Sequence, residues 1–488
     1  MIPNHRTPLR NVAPLALAIT LSACASVPDL GSRPALRTPA TIASDQSLAA
    51  SAAGQWPGDG WWQAFGDPQL DALITEGLAG SPDAAAAAAR LRRAEAAVQS
   101  AGGALLPSLD AGAEGGWQKQ SYNVGFPKEF VPKGWKQRGQ ATANLSFDLD
   151  LWGKNRATLA AATSEAEAAR IETAQARLTL ATSIASAYAD LARLYADRDV
   201  LSAALDLRIA TQKLVANRVA TGLDTRAELK QADAAVPAAR ADLVAIDDMI
   251  SATRHELAAL LGAGPDRGLA IARPTLARLL APGLPAQTTT ELIGRRPDIA
   301  AARARAEAAA SRIKVARADF YPAVSLSALV GVQSLGFDNL VKKDSIFGNV
   351  GPAISLPIFR GGSLAGQYRG ARATYDEAVA DYDRTILAAY REVADAVTSQ
   401  RSIAEQLTQS RQALADSEEA YSIARKRYEG GLSTYLDVLT AEERVLQARR
   451  AAAELDARRF GIDITLVRAL GGGFTAPATA LSKEDQNG

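Results

Sequence analysis

Residues that carry covalent or metal chemistry are scarce in this chain of 488 residues. It contains one cysteine and two histidines, too few for a disulfide framework or for a zinc site built from cysteine and histidine. The sequence supports neither a Ser-His-Asp arrangement nor a glycine-rich phosphate-binding motif. His255, in a helical stretch, is best explained as a structural or surface histidine. These absences predict that the protein is not an enzyme and binds no metal or cofactor.

Long apolar runs are missing as well, and neither sign of charge dominates. After the first residues no apolar stretch approaches the roughly 20 residues of a transmembrane helix. A chain that crosses a membrane would therefore have to do so as a closed β-barrel. Lysine and arginine number 54 and aspartate and glutamate 53, which gives no sign of a nucleic acid partner. Aromatic residues are only 6% of the chain, whereas alanine is abundant, as in closely packed helices.

The N-terminus has the pattern of a bacterial lipoprotein. Basic residues precede an apolar stretch over residues 12–22, and Leu21-Ser22-Ala23-Cys24 resembles the lipobox at which such proteins are acylated and cleaved. We therefore expect residues 1–23 to be a lipoprotein signal peptide and Cys24 to be lipidated, the alternative being an incidental cysteine. By the same resemblance, alanine rather than aspartate at position 25 favours the outer membrane.

Two pairs of alternating segments predict β-hairpins. In residues 140–152, apolar side chains at odd positions alternate with polar ones at even positions. With the alternating segment that follows Pro107, this strand predicts a hairpin over residues 107–152. A second pair predicts a hairpin over residues 322–360. The polar face of the strand at 140–152 carries Thr142, Asn144, Ser146, Asp148 and Asp150.

Very long helices follow these hairpins. Helix breakers are almost absent between residues 154 and 220, which predicts one helix of roughly 100 Å at about 1.5 Å per residue. Its apolar residues recur at spacings of three, four or seven, a coiled-coil seam. Gly222 ends this helix, and a return helix closes a helical hairpin over residues 153–262. A second such hairpin, with Gly431 in its turn, is predicted over residues 361–470.

The chain contains one unit twice. Pro82 and Pro297 are 215 positions apart, and so are Pro107 and Pro322. Repeats on this scale indicate pseudo-symmetric parts of one assembly. Four strands are about half the practical minimum for a barrel, so we expect several chains to share one. The predicted organisation is a lipid-anchored tether over 24–60, a first repeat over 61–288 that ends in a connector, a second repeat over 289–470 and a flexible tail over 471–488.

Several spaced motifs carry a family resemblance over residues 56–470. The chain resembles the TolC/OprM-like outer membrane factors, and within them the NodT-type lipoproteins of RND tripartite efflux systems. The matching segments are Trp61-Trp62 with Phe65-Gly66-Asp67-Pro68, Leu149-Asp150-Leu151-Trp152-Gly153, Arg295-Arg296-Pro297-Asp298-Ile299, Gly351-Pro352-Ala353-Ile354-Ser355-Leu356-Pro357-Ile358-Phe359 and Arg427-Tyr428-Glu429-Gly430-Gly431.

This resemblance implies an α + β, TolC-like trimeric fold built from two internal repeats. Each chain would give four strands to a 12-stranded membrane β-barrel, which continues as a long periplasmic α-helical barrel. The implied function is a passive exit duct in the outer membrane of a Gram-negative bacterium. Its implied partners are two further copies, a periplasmic adaptor (membrane fusion) protein, an inner-membrane RND-type pump and outer membrane lipid. The even positions of the strand over 140–152, Thr142 to Asp150, would then line the barrel lumen.

Two readings of the chain compete with an efflux duct. The same fold also serves as the outer membrane duct of type I protein secretion, although the lipobox favours the efflux branch. A different class of protein, a structural coiled-coil lipoprotein that spans the periplasm, would share the long helices. Such a spacer has no use for four alternating segments, which argues against it.

The resemblance also implies a gate at the tips of the helical hairpins. Glu228 and Asp437, 209 positions apart like the two turn glycines, match positions of acidic rings in the family, so a trimer would place six carboxylates around one opening. Each acid also stands three residues after a threonine, the spacing of a capping box, and both roles can hold together. Tyr428 matches a position whose hydroxyl links neighbouring hairpins. Ser433 replaces the arginine of the TolC pattern, which makes a latch through that arginine doubtful.

The same tips are the expected docking surface for the adaptor. Small and apolar residues are concentrated there, and all of them lie in or beside the two turns that end the long helices. Helix termination alone would also explain the glycines. The predicted docking residues are Gly222, Leu223, Gly430, Gly431 and Leu432.

Overall fold

Helices make up most of the described chain. The computed structural model describes residues 26–38, 41–48, 53–123, 125, 127–275, 284–285 and 288–476, so Cys24 and the lipobox lie outside the described residues. Among the described residues no helix is both long and apolar enough to cross a membrane. The helices are α1 (Pro68–Gly80), α2 (Pro82–Gly103), α3 (Lys154–Ala220), α4 (Arg226–Leu260), α5 (Asp266–Leu269), α6 (Thr288–Arg295), α7 (Pro297–Ala318), α8 (Ser363–Glu429) and α9 (Tyr435–Ala469).

Helix α3 has the bounds that the absence of helix breakers between residues 154 and 220 predicts. Helices α3 and α8 each contain 67 residues, and α4 and α9 each contain 35. A single glycine with positive φ stands in each turn between them, Gly222 at 78° and Gly431 at 73°. Helix α3 contains neither glycine nor proline, which permits a helix of this length, whereas α4 accommodates Pro237. The two turn glycines supply the left-handed residue that ends α3 and α8.

Six strands lie in the described chain: β1 (Ala53–Gly54), β2 (Ser108–Gln118), β3 (Lys136–Asp148), β4 (Leu284–Pro285), β5 (Ala323–Leu335) and β6 (Ile346–Ser355). Four of them form an antiparallel sheet in the order β2-β3-β5-β6, and β1 pairs separately with β4 in parallel. The β3–β5 pair brings the first hairpin against the second, for example Ser146 against Ser327.

Strand β3 ends earlier than the alternation of residues 140–152 predicts. Asp150 has a φ of 44°, the left-handed conformation, which no extended strand contains. Its carboxylate accepts the backbone N–H groups of Asn155 and Arg156 at 2.8 and 3.0 Å and the Arg156 Nε at 3.1 Å. Asp150 therefore caps α3, where free N–H groups need acceptors. The prediction that Asp150 lies on the strand is therefore wrong, and its place in the lumen stays a prediction.

The register of the sheet separates its two faces. Residues opposite one another in an antiparallel pair share a face, so each row across the sheet can be read from the pairing. One row joins Leu109, Leu145, Ala328 and Val350, and the next joins Asp110, Asn144, Leu329 and Asn349. The first face is apolar apart from Gln137 and Ser334 at one end, and the second contains most of the polar side chains of the sheet.

The described residues fall into two compact units. The first comprises those within Met1–Leu36, Arg92–Ala168 and Ala302–Tyr382, and it contains the sheet. The second comprises those within Arg37–Leu91, Ala169–Ala301 and Asp383–Gly488. Each unit draws residues from both predicted repeats.

The core of the second unit is built around the middle of α3. Ile184, Tyr188 and Leu191 are fully buried there, together with Leu73 of α1 and Leu257 of α4. Burial of side chains of this size contributes roughly 1.5–3 kcal/mol each. Because Ile464 of α9 belongs to the same cluster, this core packs helices of both helical hairpins together.

A buried carboxylate organises the start of α1 in this core. Asp67 caps the helix by accepting the Gln69 N–H at 2.9 Å, and it also accepts the Tyr188 hydroxyl and the Thr275 N–H, each at 2.8 Å. Burial disfavours its charge, yet these three donors outweigh burial and lower the pKa of Asp67. The motif Phe65-Gly66-Asp67-Pro68 therefore fixes the start of α1 within the core of the second unit.

Candidate gate at the helical hairpin tips

The two hairpin tips have the same backbone geometry. The Leu223 N–H donates to the Arg218 carbonyl and the Leu432 N–H to the Arg427 carbonyl, both at 2.8 Å. Together with the left-handed glycine of each turn, these bonds form the helix-ending motif that satisfies free carbonyls. Since the second tip repeats the first at an offset of 209 residues, the duplication extends to the hydrogen bonds of the turns.

The two predicted gate acids cap the return helices. Glu228 accepts the N–H of Thr225 at 2.9 Å, and Asp437 accepts that of Thr434 at 2.9 Å. Each acid also accepts the hydroxyl of its threonine. The hydrogen bonds from Thr225 lower the pKa of Glu228, and those from Thr434 lower the pKa of Asp437. In the single chain, therefore, both acids form the capping boxes that their spacing indicates.

Tyr428 connects the two tips of one chain. Its buried hydroxyl donates to Asp224, which lies in the turn between α3 and α4. Arg218 joins the same cluster, with its Nε 2.9 Å from the Asp224 carboxylate, its Nη1 2.9 Å from the Tyr428 carbonyl and its guanidinium 4.3 Å from the centre of the Tyr428 ring. Burial, which has the largest effect, and the hydrogen bond to Asp224 both raise the pKa of Tyr428. Hence the hydroxyl stays protonated and donating.

Asp224 and Arg218 are functional candidates that the sequence did not single out. Burial alone would raise the pKa of Asp224, but the donors Arg218 and Tyr428 lower it, so the carboxylate is ionised. A signal was available in the repeat, since the offset of 209 maps Arg218 onto Arg427 and Asp224 onto Ser433. The carboxylate of the first tip thus has no counterpart at Ser433 of the second, and the link between the tips is asymmetric.

An apolar cluster lies behind this link. Val215, Ala232, Tyr428, Tyr435 and Val438 are all buried there, and the rings of Tyr428 and Tyr435 have centroids 6.2 Å apart. By contrast, three leucines of the tips keep more than 60% of their surface exposed in the single chain: Leu223, Leu432 and Leu436. Apolar groups left exposed in this way are suited to contact another protein surface.

The predicted lumen residues of β3 other than Asp150 share one face of the sheet. Thr142, Asn144, Ser146 and Asp148 alternate along the strand, and the register places Ser325 and Ser327 of β5 opposite Asp148 and Ser146. In the described part of the chain, no group of three or more His, Cys, Asp or Glu could hold a metal ion. On β3 and β5 these side chains form a polar surface.

Comparison with protein families gives one match over most of the chain. The model described as "Outer membrane efflux protein" matches residues 73–263 and 289–472. The two matched stretches fall on the two predicted repeats, each of which contains two strands and one long helical hairpin.

Curated relatives are similar over most of their length. The pyoverdine export outer membrane protein OpmQ of Pseudomonas putida is 32% identical over 471 residues, which cover 96% of this chain and 98% of the relative. The multidrug resistance outer membrane protein MdtP of Escherichia coli is 33% identical over 450 residues (89% and 90%). The fusaric acid resistance protein FusA of Burkholderia cepacia is 34% identical over 367 residues (74% and 69%).

Solved structures of outer membrane channels share the fold. The outer membrane protein VceC of Vibrio cholerae is 44% identical, with a TM-score of 0.81 over 86% of this chain and 100% of VceC. The outer membrane channel OprN is 28% identical, with a TM-score of 0.81 over 91% of this chain and 99% of OprN. The chain belongs to the outer membrane efflux protein family, and it is an outer membrane efflux channel with the TolC-like fold of two repeats.

Proposed function

We propose that this channel is the exit duct of a tripartite efflux pump, working as a homotrimer with a periplasmic adaptor protein and an inner-membrane RND-type pump. The observation that carries the proposal is the sheet β2-β3-β5-β6, with one apolar and one polar face and two strands that lead into helices of 67 residues. Strands between lipid and a water-filled pore need this division of faces. The polar face of β3, from Thr142 to Asp148, lines the pore.

The unpaired edges of the sheet support a trimer. Strands β2 and β6 each have one neighbour in the described chain, and unpaired N–H and C=O groups are strongly unfavourable in lipid. The strands alternate in direction, so β6 of one copy can pair with β2 of the next in antiparallel fashion. Three copies of four strands close this cycle at twelve strands, within the range of membrane pores.

The described part of the N-terminal segment supports a lipid anchor at Cys24. The Tyr375 hydroxyl donates to the Pro34 carbonyl at 3.0 Å, and Arg372 donates to the carbonyls of Gly31 and Ser32. Residues 31–34 thus lie along α8 within the first unit, the unit that contains the sheet. The seven positions from Gly31 back to Cys24 span at most about 25 Å when extended, so the segment holds the anchor near the membrane-facing strands.

The tips of the helical hairpins form the periplasmic gate and the docking surface. Tyr428, Asp224 and Arg218 hold the two tips of each chain together, and the acids Glu228 and Asp437 stand around the opening in the trimer. The exposed Leu223 and Leu432 supply apolar contacts for the adaptor, while Gly222, Gly430 and Gly431 leave space for a close approach.

Cargo selection resides outside the duct. Relatives of the chain are named for resistance to fusaric acid, export of pyoverdine and resistance to multiple drugs, so their cargoes are chemically diverse. A wide water-filled pore has few contacts with which to select among such compounds. Small organic molecules handed over by the pump are therefore the proposed cargo.

Deletion and reconstitution test this function together. Loss of the gene should raise susceptibility to several unrelated toxic compounds, and the wild-type gene should restore resistance. The purified protein should run as a heat-sensitive trimer on gels and form ion-conducting pores in planar bilayers. A monomer without pore activity, or a deletion strain with unchanged susceptibility to every compound, would overturn the proposal.

A further inference from the structure

A buried carboxylate lies beside the apolar cluster of the hairpin tips and has no part in the gate described above. Glu442, on α9, keeps only 2% of its surface exposed. The adjacent Glu443 is exposed, so burial is a property of this one position. Burying an ionised carboxylate is unfavourable unless donors compensate for the lost water. The question is therefore which donors reach Glu442.

The two donor groups nearest to the Glu442 carboxylate come from α3, and both are poorly placed for a hydrogen bond to it. The Thr211 hydroxyl donates to Oε2 at 3.3 Å, and the Arg208 Nε lies 3.7 Å from Oε1, beyond hydrogen-bonding distance. The Arg208 Nη1 is bound instead to the Ala235 carbonyl of α4 at 3.2 Å. One long hydrogen bond and one loose ion pair replace little of the hydration that an ionised carboxylate has lost.

The remaining charged groups around Glu442 do not compensate for this loss. On α8, Arg425 is paired with Glu429 at 2.9 Å, and the partly buried Tyr421 lies near Glu442. On α9 itself, Tyr435 is uncharged and Glu443 is a further negative charge. On α4, Lys230 and Asp233 pair with each other at 2.9 Å. Burial, with a contribution from Glu443, therefore raises the pKa of Glu442 in spite of Arg208 and Thr211.

The position of Glu442 ties this protonation to the gate. The first turn of α9, the helix of Glu442, contains Tyr435 and Val438. Both belong to the cluster that packs on Tyr428. Its two donors belong to the first helical hairpin, whereas Glu442 belongs to the second. Separation of α9 from α3 would expose the carboxylate to water and would also break open the cluster behind the tips.

We propose that Glu442 is a positioning residue of the gate: its protonated side chain holds α9 against α3, and its ionisation favours separation of the two hairpins and opening. This inference rests on the proposed channel function and goes beyond it by naming a proton as the regulator. When protonated, the carboxyl can donate to Thr211, and the unfavourable burial of a charge disappears. Arg208 keeps about a fifth of its side chain exposed, although its Nε is buried and has no hydrogen-bond partner.

The direction of the pH effect follows from this arrangement. A carboxyl whose pKa is higher when buried than when hydrated binds its proton more tightly in the closed state. Acid therefore favours closure, and opening becomes easier as pH rises through the pKa of Glu442. Each unit of difference between the closed and open pKa changes the ratio of open to closed channels by up to about tenfold.

Conductance as a function of pH tests the proposal. Wild-type trimers, Glu442→Gln and the control Glu443→Gln are compared in planar bilayers from about pH 5 to about pH 8. Glutamine resembles the protonated form, so Glu442→Gln should keep the low conductance of acidic pH throughout, whereas Glu443→Gln should follow the wild type. Glu228, Asp437 and Asp224 have lowered pKa values and stay ionised over this range.

Two further variants make the result specific. Asp463→Asn should leave the pH profile of conductance unchanged, although burial raises the pKa of Asp463 to about 6. Thr211→Val removes a donor to the ionised carboxylate, so the rise in conductance should move to higher pH; this variant also decides the matter if Glu442→Gln forms no trimer.

Specific outcomes would overturn the inference. A wild-type conductance that is constant with pH or falls as pH rises would do so. An unchanged pH profile in Glu442→Gln, or in Thr211→Val, would also do so. A wild-type protein that forms no pore at any pH would contradict the proposed function itself, so the two failures are distinguishable.

Discussion

Asp463 shows how one buried acid sets the pH dependence of stability. It lies on α9 with 3% of its surface exposed, and its Oδ1 has no hydrogen-bond partner. Burial raises the pKa of Asp463 to about 6, although Arg459 and a bond to Gln400 oppose the shift. A carboxyl with a raised pKa stabilises the fold while it is protonated, and this contribution is lost as pH rises through about 6.

We predict that Asp463→Asn makes the protein more stable at about pH 8 and less dependent on pH. The wild type should lose about 2–3 kcal/mol per chain between about pH 4 and about pH 7 from this residue, because the folded state then carries a buried charge. Thermal unfolding followed by circular dichroism in detergent, repeated across pH, measures the change. The control Asp456→Asn alters an exposed acid of the same helix and should leave the profile as in the wild type. An equal pH dependence in both variants would contradict the prediction.

Tyr428 is the residue at which the gate should be most sensitive to a single atom. We predict that Tyr428→Phe raises conductance, because it removes the hydroxyl bound to Asp224 and leaves a half-satisfied, nearly buried carboxylate. Such a loss amounts to about 1–2 kcal/mol, or a rise of roughly 5- to 30-fold in the ratio of open to closed channels. Tyr435→Phe is the matched control, since Tyr435 packs in the same cluster and its hydroxyl makes no hydrogen bond among the described contacts. Equal conductance in both variants would argue against a gate at Tyr428.

At the scale of elements, sequence patterns located the long helices and both β-hairpins. Breaker-free sequence and a following glycine predicted the ends of α3 correctly, because helix length and termination depend on local propensity. The predicted end of β3 was wrong, because the alternation in the sequence continues to Trp152 whereas the backbone turns at Asp150, which caps α3. The link of Tyr428 to Asp224 spans 204 positions and depends on tertiary packing, which local patterns do not encode. The same holds for the burial of Glu442 next to the exposed Glu443.

The start of each return helix allows the two roles of the gate acids to be separated. We predict that the double variant Glu228→Gln/Asp437→Asn lowers the cation preference of the reconstituted pore, because it removes the negative charges around the opening. Amides can still accept the threonine N–H groups, so the capping boxes and the thermal stability should be retained. Reversal potentials in asymmetric salt measure the preference.

A second variant provides the control for this experiment. Glu228→Ala/Asp437→Ala removes both the charge and the cap, so it should lower cation preference and thermal stability together. If the amide variant keeps the wild-type preference while the alanine variant alone is altered, the acids are caps and form no ring.

At the scale of the whole molecule, the open edges of the sheet determine how copies associate. A contact that joins β6 of one copy to β2 of the next is heterologous and must close on itself or continue indefinitely. We predict closure at three. Ala111 on β2 and Val350 on β6 lie on the apolar face, and single cysteines at both positions in one chain should cross-link neighbouring copies into dimers and trimers under oxidation. The prediction does not fix the register between β6 of one copy and β2 of the next. Gly348 and Ile354, which lie on the same face as Val350, therefore serve as alternative cysteine positions to pair with Ala111→Cys.

The pattern of cross-linked bands decides between assemblies. A ladder on denaturing gels that stops at three chains supports the trimer, and the single variant Ala111→Cys should remain a monomer under the same conditions. A cysteine at Asn349, on the polar face, should react poorly with Ala111→Cys, since side chains on opposite faces point apart. Ladders that continue beyond three chains, or no adduct with any of the three apolar-face partners, would contradict closure of the pore by three copies.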